Sequence, residues 1–402
     1  MSTRRLAYFV TPHGFGHAAR ACAVIEALGL GSIEPVGTIE PRLPLAVELF
    51  TTVPEWFFAA SLRVPFGYHA VRTDVGLAQR DAMDEDLTAT VRELDAFLPW
   101  PAKLVDGLAA TVRERGCEAV LCDVAPLGIA VAHAAGLRAA LVENFTWDWI
   151  YESYLDREPR LAQHAAELGR WFAAADLRVQ TEPVCRPWPG ATSVAPVARL
   201  PRRGRDDVRR ELRLEPGQRA VLVTMGGIPW DYAAMVSGGG PRLPDGVVLV
   251  VPGGAPKRKQ DPTKRKQDQT KRKQDQTKRK QDQTKRRDLP WARLLPFHSD
   301  LYHPDLVAAA DAVVGKLGYS TLAECWCSGV PFGFVPRESF PESPVLAAAV
   351  TEGGAGVAVA ASALGGASWD WLEAVLAVPR VDGGRCRGNA DAAAAIADWL
   401  GR

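Results

Sequence analysis

Residues 8–28, YFVTPHGFGHAARACAVIEAL, decide how the chain is read. An apolar run ends in a glycine loop carrying two histidines, and a helix-forming stretch follows. LAYFVT (6–11) reads as a strand and the helix begins near His17. Glycines let a backbone approach a ligand closely. A helix start gathers unpaired N–H groups and favours anions. Gly14-Phe15-Gly16-His17-Ala18-Ala19 fits the loose dinucleotide pattern G-x-G-x-x-A, with Glu34 or Glu40 as its acidic partner. His17 separates the readings. It stands where a bound pyrophosphate leaves little room, whereas in a cleft a neutral imidazole takes a proton from a hydroxyl. His13 reads as a residue that shapes the loop.

The same alternation runs outward from this unit. EAVLC (118–122) reads as a strand ending at Asp123, followed by a helix PLGIAVAHAAG, a strand RAALVEN (138–144), a helix over 161–175 and a strand LRVQT (177–181). Asp123 has two readings: the carboxylate that orients His17, or the N-cap of the helix before Pro126. Prolines crowd residues 182–205, which reads as a linker. A second series follows it: RAVLVTMGG, GVVLVVPGG, ARLLPF, DAVVGK, then the helix GYSTLAECWCSG, the strand VPFGFVP and a helix in VLAAAVTEGGAG. Strands alternating with helices predict parallel sheets, twice over. The expected class is α/β, two Rossmann-like domains facing across a cleft: an N-terminal domain over 1–185, a linker over 186–205 and a C-terminal domain over 206–402.

Residues 257–287 interrupt the second series with KRKQDPT, three copies of KRKQDQT, and KRR. The segment carries 15 Lys and Arg against 4 Asp, net +11, so a chain of net charge +1 is elsewhere near −10. The seven-residue period has no apolar position and is not a coiled coil. It reads as a disordered expansion within a surface loop, with electrostatic contact to nucleic acid or anionic lipid as the other reading. The balance of the chain points to no specific nucleic-acid partner. No apolar run approaches the roughly 20 residues of a membrane span. The start lacks a signal peptide's long apolar region, so a cytoplasmic location is expected, with peripheral membrane contact left open. The seven cysteines are scattered without a C-x-x-C pair, which argues against a disulfide framework or a structural zinc site.

Three further stretches carry candidate chemistry. In GKLGYSTLAE (315–324), Gly318 allows a turn and Ser320 and Thr321 open a helix able to cradle a diphosphate. Glu324 either closes a capping box with Thr321 or grips ribose hydroxyls one turn down. Met225-Gly226-Gly227 leaves the second domain's first strand and either admits a phosphate or is a common turn. NFTWDWIYESY (144–154) offers Trp147 and Trp149 as a stacking face for an acceptor, with Asp148 beside them, or as core packing. Asp74, Gly76 and Gln79 in DVGLAQ mark an acceptor loop or a simple turn.

H-G-F-G-H near the N-terminus, the Gly226-Gly227 strand exit and G-Y-S-T-L-A-E followed by G-V-P-F together resemble the GT-B glycosyltransferases, in particular the group related to the N-acetylglucosaminyltransferase of peptidoglycan synthesis. YFVTPHGFGHAAR, DVGLAQRDAMDED, LCDVAPLGIAVAHAAGLRAALVENFTWDWIYESY and KLGYSTLAECWCSGVPFGFVPRESFPESPVL are similar to the glycosyltransferase-like N-terminal part of plant arabinokinases and its stand-alone bacterial relatives. The likeness covers nearly the whole chain except the insert. It implies inverting transfer of a sugar from a nucleotide-diphosphate donor, UDP-linked, to a hydroxyl of a small-molecule or glycan acceptor, with no other cofactor and no metal held by the protein. It implies His17 as base; Gly226 and Gly227 near the phosphates; Gly318, Tyr319, Ser320 and Thr321 as the diphosphate loop; Glu324 on ribose; and Phe297 and His298 near the base of the nucleotide. Glu338 and Glu342 fall where related enzymes contact the sugar, often with Gln or Asp-Gln, which this sequence lacks. His13, Gly14, Gly16, Asp74, Gln79, Trp147 and Asp148 fall on the acceptor side. Epimerisation of the nucleotide sugar, with Glu338 or Glu342 catalytic, and a non-catalytic nucleotide-sugar-binding module are the alternative functions.

Overall fold

A computed structural model describes residues 3–30, 44–80, 84–225, 240–254, 287–296, 299–381 and 386–402. Gly226, Gly227, Phe297 and His298 lie outside the described residues, as does the basic repeat apart from its last residue, which opens a strand.

The first half contains β1 (Arg4–Val10), α1 (Gly16–Leu30), β2 (Leu45–Thr51), α2 (Glu55–Ser61), β3 (Phe66–Ala70), α3 (Leu87–Phe97), α4 (Ala102–Glu114), β4 (Ala119–Asp123), α5 (Pro126–Ala135), β5 (Ala139–Glu143), α6 (Trp147–Glu152), α7 (Leu161–Ala173), β6 (Leu177–Thr181) and β7 (Thr192–Val194). Its strands form one parallel sheet in the order β3-β2-β1-β4-β5-β6-β7. Alternation along β1 explains why both faces are covered. Ala7 and Phe9 enter a core with α3, α4, α5 and α7, while Leu6, Tyr8 and Val10 enter another with α1 and α2.

The second half contains α8 (Arg205–Glu211), β8 (Arg219–Thr224), β9 (Val247–Pro252), β10 (Arg287–Leu289), β11 (Ala292–Leu295), α9 (His303–Ala309), β12 (Ala312–Lys316), α10 (Tyr319–Ser328), β13 (Phe332–Val335), α11 (Glu342–Glu352), β14 (Gly356–Ala358), α12 (Ala361–Leu364), α13 (Leu372–Leu376) and α14 (Gly388–Gly401). Its sheet runs β10-β11-β9-β8-β12-β13-β14, parallel except for the antiparallel β10. Strand order reverses between β1 and β4 in the first sheet and between β8 and β12 in the second. These two switch points are where open α/β sheets form crevices.

Several elements depart from the sequence reading. The stretch 45–114, where no element was assigned, supplies two strands and three helices. β7 lies inside the Pro-rich linker: a three-residue edge strand tolerates flanking prolines because one side of it needs no ladder. The last helix, α14, packs on α1, β6 and β7, so Ala392, Ile396 and Trp399 belong to the first half's core. Cys327 and Cys386 are joined in a disulfide, against the expectation from their spacing. Chain folding brings them together: Val381, five residues before Cys386, donates its N–H to the carbonyl of Gly329, two residues beyond Cys327 at the end of α10. Among the described residues no helix is long and apolar enough to cross a membrane.

Candidate active site between the two sheets

His17 is the second residue of α1 and Asp123 is the last of β4, so the first switch point brings them together. Their Nδ1 and Oδ1 atoms are 2.9 Å apart. Asp123 is fully buried. It does not cap α5, whose N-cap is Ala125 with no side-chain bond, because its oxygens are turned to α1. Arg20, one turn beyond His17, forks onto it: Nε donates to Oδ2 at 2.8 Å and Nη2 to Oδ1 at 2.7 Å. Burial alone would raise the Asp123 carboxyl, but Arg20 and His17 hold it below the usual carboxylate range. An ionised carboxylate only accepts, so the proton of His17 sits on Nδ1 and the lone pair on Nε2. Burial is likewise overcome at Arg20, whose guanidinium is raised by Asp123.

Arg20 carries the network across to the second half. Its Nη1 donates to Asn144 Oδ1 at 2.7 Å, and Asn144 Nδ2 donates to Glu342 Oε1 at 2.7 Å. Its guanidinium also lies 5.0 Å from the centre of the Tyr319 ring. The sequence reading missed Arg20. The available signal was an arginine three residues after His17, on a helix whose one other charged residue is Glu26.

The start of α10 faces the start of α1. Gly318 is its N-cap, and the Ser320 hydroxyl donates to the Gly16 carbonyl at 2.6 Å. The Tyr319 hydroxyl accepts from Val197 N–H at 3.0 Å, and Thr321 is buried. Glu324 forms no capping box. It lies one turn beyond the capping position, buried, with Oε1 on Arg199 at 2.8–2.9 Å and Oε2 on His303 Nδ1 at 2.8 Å. Burial opposes its ionisation, yet Arg199 and His303 keep it below the usual range. Arg199 comes from the linker and also donates to Ser61 in the first half, at 3.0 Å.

On the other side of His17 the loop has Gly14 at φ 74°. His13 packs edge-on against Trp147, with ring centres 5.1 Å apart. Burial, with Arg337, His17 and Lys316 nearby, holds the His13 imidazole well below its usual range. Gly76, at φ 64°, passes so close that a Cβ there would be 2.7 Å from His13 Nδ1. Trp147 is fully buried and donates to Asp74 Oδ2 at 3.3 Å, so it packs as core. Burial pushes the Asp74 carboxyl up to about 7, and its Oδ1 has no hydrogen-bond partner among the described residues.

Three expected residues are not brought to this group. Asp148 is buried against Arg186, at 3.3 Å. Gln79 pairs through its backbone with Glu85 in an isolated bridge. Glu338 is exposed, while Glu342, four residues on, is buried and bonded to Asn144.

Solved structures with the same architecture include the spinosyn forosaminyltransferase SpnP (12% identity, TM-score 0.57, all of both chains covered) and the calicheamicin glycosyltransferase CalG4 (16%, TM-score 0.57, 100% of this chain and 99% of that one). UGT2 of Phytolacca americana, solved with UDP-2fluoro-glucose and pterostilbene, aligns at 13% identity and TM-score 0.55, covering 100% of this chain and 95% of that one. The chain therefore has the GT-B fold of glycosyltransferases. L-arabinokinase of Arabidopsis thaliana is 26% identical over 346 residues, which are 85% of this chain; the chain spans 29% of that protein's length. No protein-family profile matches the chain.

Proposed function

We propose that the protein transfers a sugar from a nucleotide-diphosphate donor, UDP-linked, to an acceptor hydroxyl, inverting the anomeric carbon. The observation that carries this reading is the buried His17–Asp123 pair at the first switch point, opposite the helix N-terminus at the second. His17 Nε2 takes the acceptor's proton as its oxygen bonds to the anomeric carbon. The bond from that carbon to the diphosphate breaks, and its electron pair leaves on the phosphate oxygen. One displacement inverts the centre. Asp123 fixes the Nδ1–H tautomer and stabilises the imidazolium that forms.

The free N–H groups at the start of α10, with Gly318, Tyr319, Ser320 and Thr321, stabilise the departing charge as a metal otherwise would. The Ser320–Gly16 bond belongs to a closed state, and a donor enters when the halves part and displace it. Glu324, kept ionised by Arg199, holds the ribose by giving up His303. Gly226 and Gly227 approach the phosphates, Phe297 and His298 the nucleotide base, and Glu342 the sugar. His13, Gly14, Gly16 and Asp74 border the acceptor. A cytoplasmic location fits this donor class.

The test is calorimetric titration with a panel of nucleoside diphosphates and their sugars, followed by product analysis. Wild type binds one diphosphate and forms an inverted glycoside. His17→Ala keeps donor binding but loses at least about 100-fold in turnover, the scale of general base catalysis. Equal turnover in His17→Ala refutes the assignment.

A further inference from the structure

Two cations stand unpaired between the halves. Lys316 ends β12, opposite Val335 in the parallel register with β13, and Arg337 follows two residues later, so both side chains leave the same end of the sheet. Arg337 is 7% exposed. Its Nε has no hydrogen-bond partner among the described residues, and its guanidinium lies 3.5 Å from the centre of the Phe340 ring. Among the described residues, neither Lys316 nor Arg337 makes an ion pair. Of the nearby carboxylates, Glu85 holds Arg157 and Ser339, while Glu342, whose Oε1 accepts from Asn144, attracts both cations without bonding to either and offsets one of the two charges. Burial, with Arg337 beside it, holds the Lys316 ammonium down to about 7, and burial lowers Arg337 as well.

A buried guanidinium without an ion pair is expensive, and the half-buried ammonium of Lys316 near it adds to the cost. Such a pair is retained where a ligand supplies the anion. The position distinguishes which anion. A diphosphate at the start of α10 lies over β12, whereas Arg337 leaves β13, one strand farther from β8, beside Glu342, where the proposed reading places the sugar. A neutral hexose brings only hydroxyls to that point. A guanidinium fork with an ammonium next to it matches a carboxylate.

We propose that Lys316 and Arg337 form a carboxylate subsite for the transferred sugar, so that the donor is a nucleotide-linked uronic acid rather than a neutral hexose or N-acetylhexosamine. This rests on the sugar-transfer reading above. The pair is electrostatically incomplete without the ligand, and so costs stability in its absence.

The test is titration of wild type, Arg337→Gln and Lys316→Met with UDP, UDP-glucose and UDP-glucuronic acid, and with the corresponding dTDP series. Wild type is expected to bind the glucuronic acid form at least about tenfold more tightly than the glucose form of the same series. Each substitution removes that preference and leaves the diphosphate's affinity unchanged. Thermal melting without ligand reports folding independently, and both variants are expected to melt no lower than wild type. Diphosphate binding without a preference for the uronic acid overturns the subsite and leaves sugar transfer standing. Equal weakening of the diphosphate and both sugars by the substitutions also overturns it, because the pair then holds phosphate. Failure of every nucleotide to bind overturns both readings.

Discussion

Replacing Arg20 with Met tests whether the centre of the site is an electrostatic unit. Arg20 is 1% exposed and Asp123 is fully buried, so removing the guanidinium strands a carboxylate with the His17 hydrogen bond as its remaining partner. Breaking a buried pair in this way costs about 3–5 kcal/mol. The cost has a pH signature. In the wild type the Asp123 carboxyl titrates below its unfolded value, so its stabilisation is present above roughly pH 4 and is lost as pH falls through the folded value. In Arg20→Met, burial opposed only by the His17 bond raises that carboxyl instead, and a penalty grows as pH rises above roughly 4. The variant should therefore fall furthest behind at pH 7–8, close part of the gap towards pH 4, and approach wild type only as pH falls below the folded Asp123 value. Adding Asp123→Asn removes the stranded charge and should recover most of the loss. The assay is urea unfolding followed by tryptophan fluorescence at several pH values, together with melting. At roughly 2–4 °C per kcal/mol for halves of this size, the melting temperature drops by about 10 °C at neutral pH. A loss under about 1 kcal/mol at pH 7, or a double variant as unstable as the sum of the singles, refutes the reasoning.

Two further outcomes concern stability. The folded Asp74 carboxyl titrates at about 7, above its unfolded value, so it penalises the fold as pH rises from about 4 to 7; Asp74→Asn, which can still accept from Trp147, should match wild type near pH 4 and exceed it by up to about 4 kcal/mol at pH 8 in urea unfolding. The disulfide joins residues 59 apart in sequence, so its reduction, or Cys386→Ser, should cost about 4 kcal/mol by loop closure; non-reducing peptide mapping checks the bond and melting with and without reductant checks the cost.

Much of the architecture was legible in local signals. The alternation of apolar runs with helix-forming stretches marks the strands leading to His17, Asp123 and Gly318, because a parallel strand buried on both faces reads as a continuous apolar run. The stretch 45–114 was harder. β2 is fully buried yet carries Glu48, whose charge is met by Arg5 at 2.6 Å and His69 at 2.8 Å, partners lying on neighbouring strands. Asp123 had two local explanations, and Glu324 had two; nothing within a few residues of either chooses between them.

The sequence by itself determined the two αβ series, the glycine loop that starts α1 and the residue types at both switch points, since these depend on backbone propensity and on periodicities of two and 3.6 residues. Tertiary structure alone decided which charges meet. Asp123 is 103 residues from Arg20, Glu324 is 125 from Arg199, and Glu342 is 198 from Asn144, separations that no local pattern encodes. It also decided that Lys316 and Arg337 share a sheet end with no ion pair to either among the described residues, and that α14 returns to the first half. Ion pairing and burial act through space, so their outcome exists only once the two sheets have packed together.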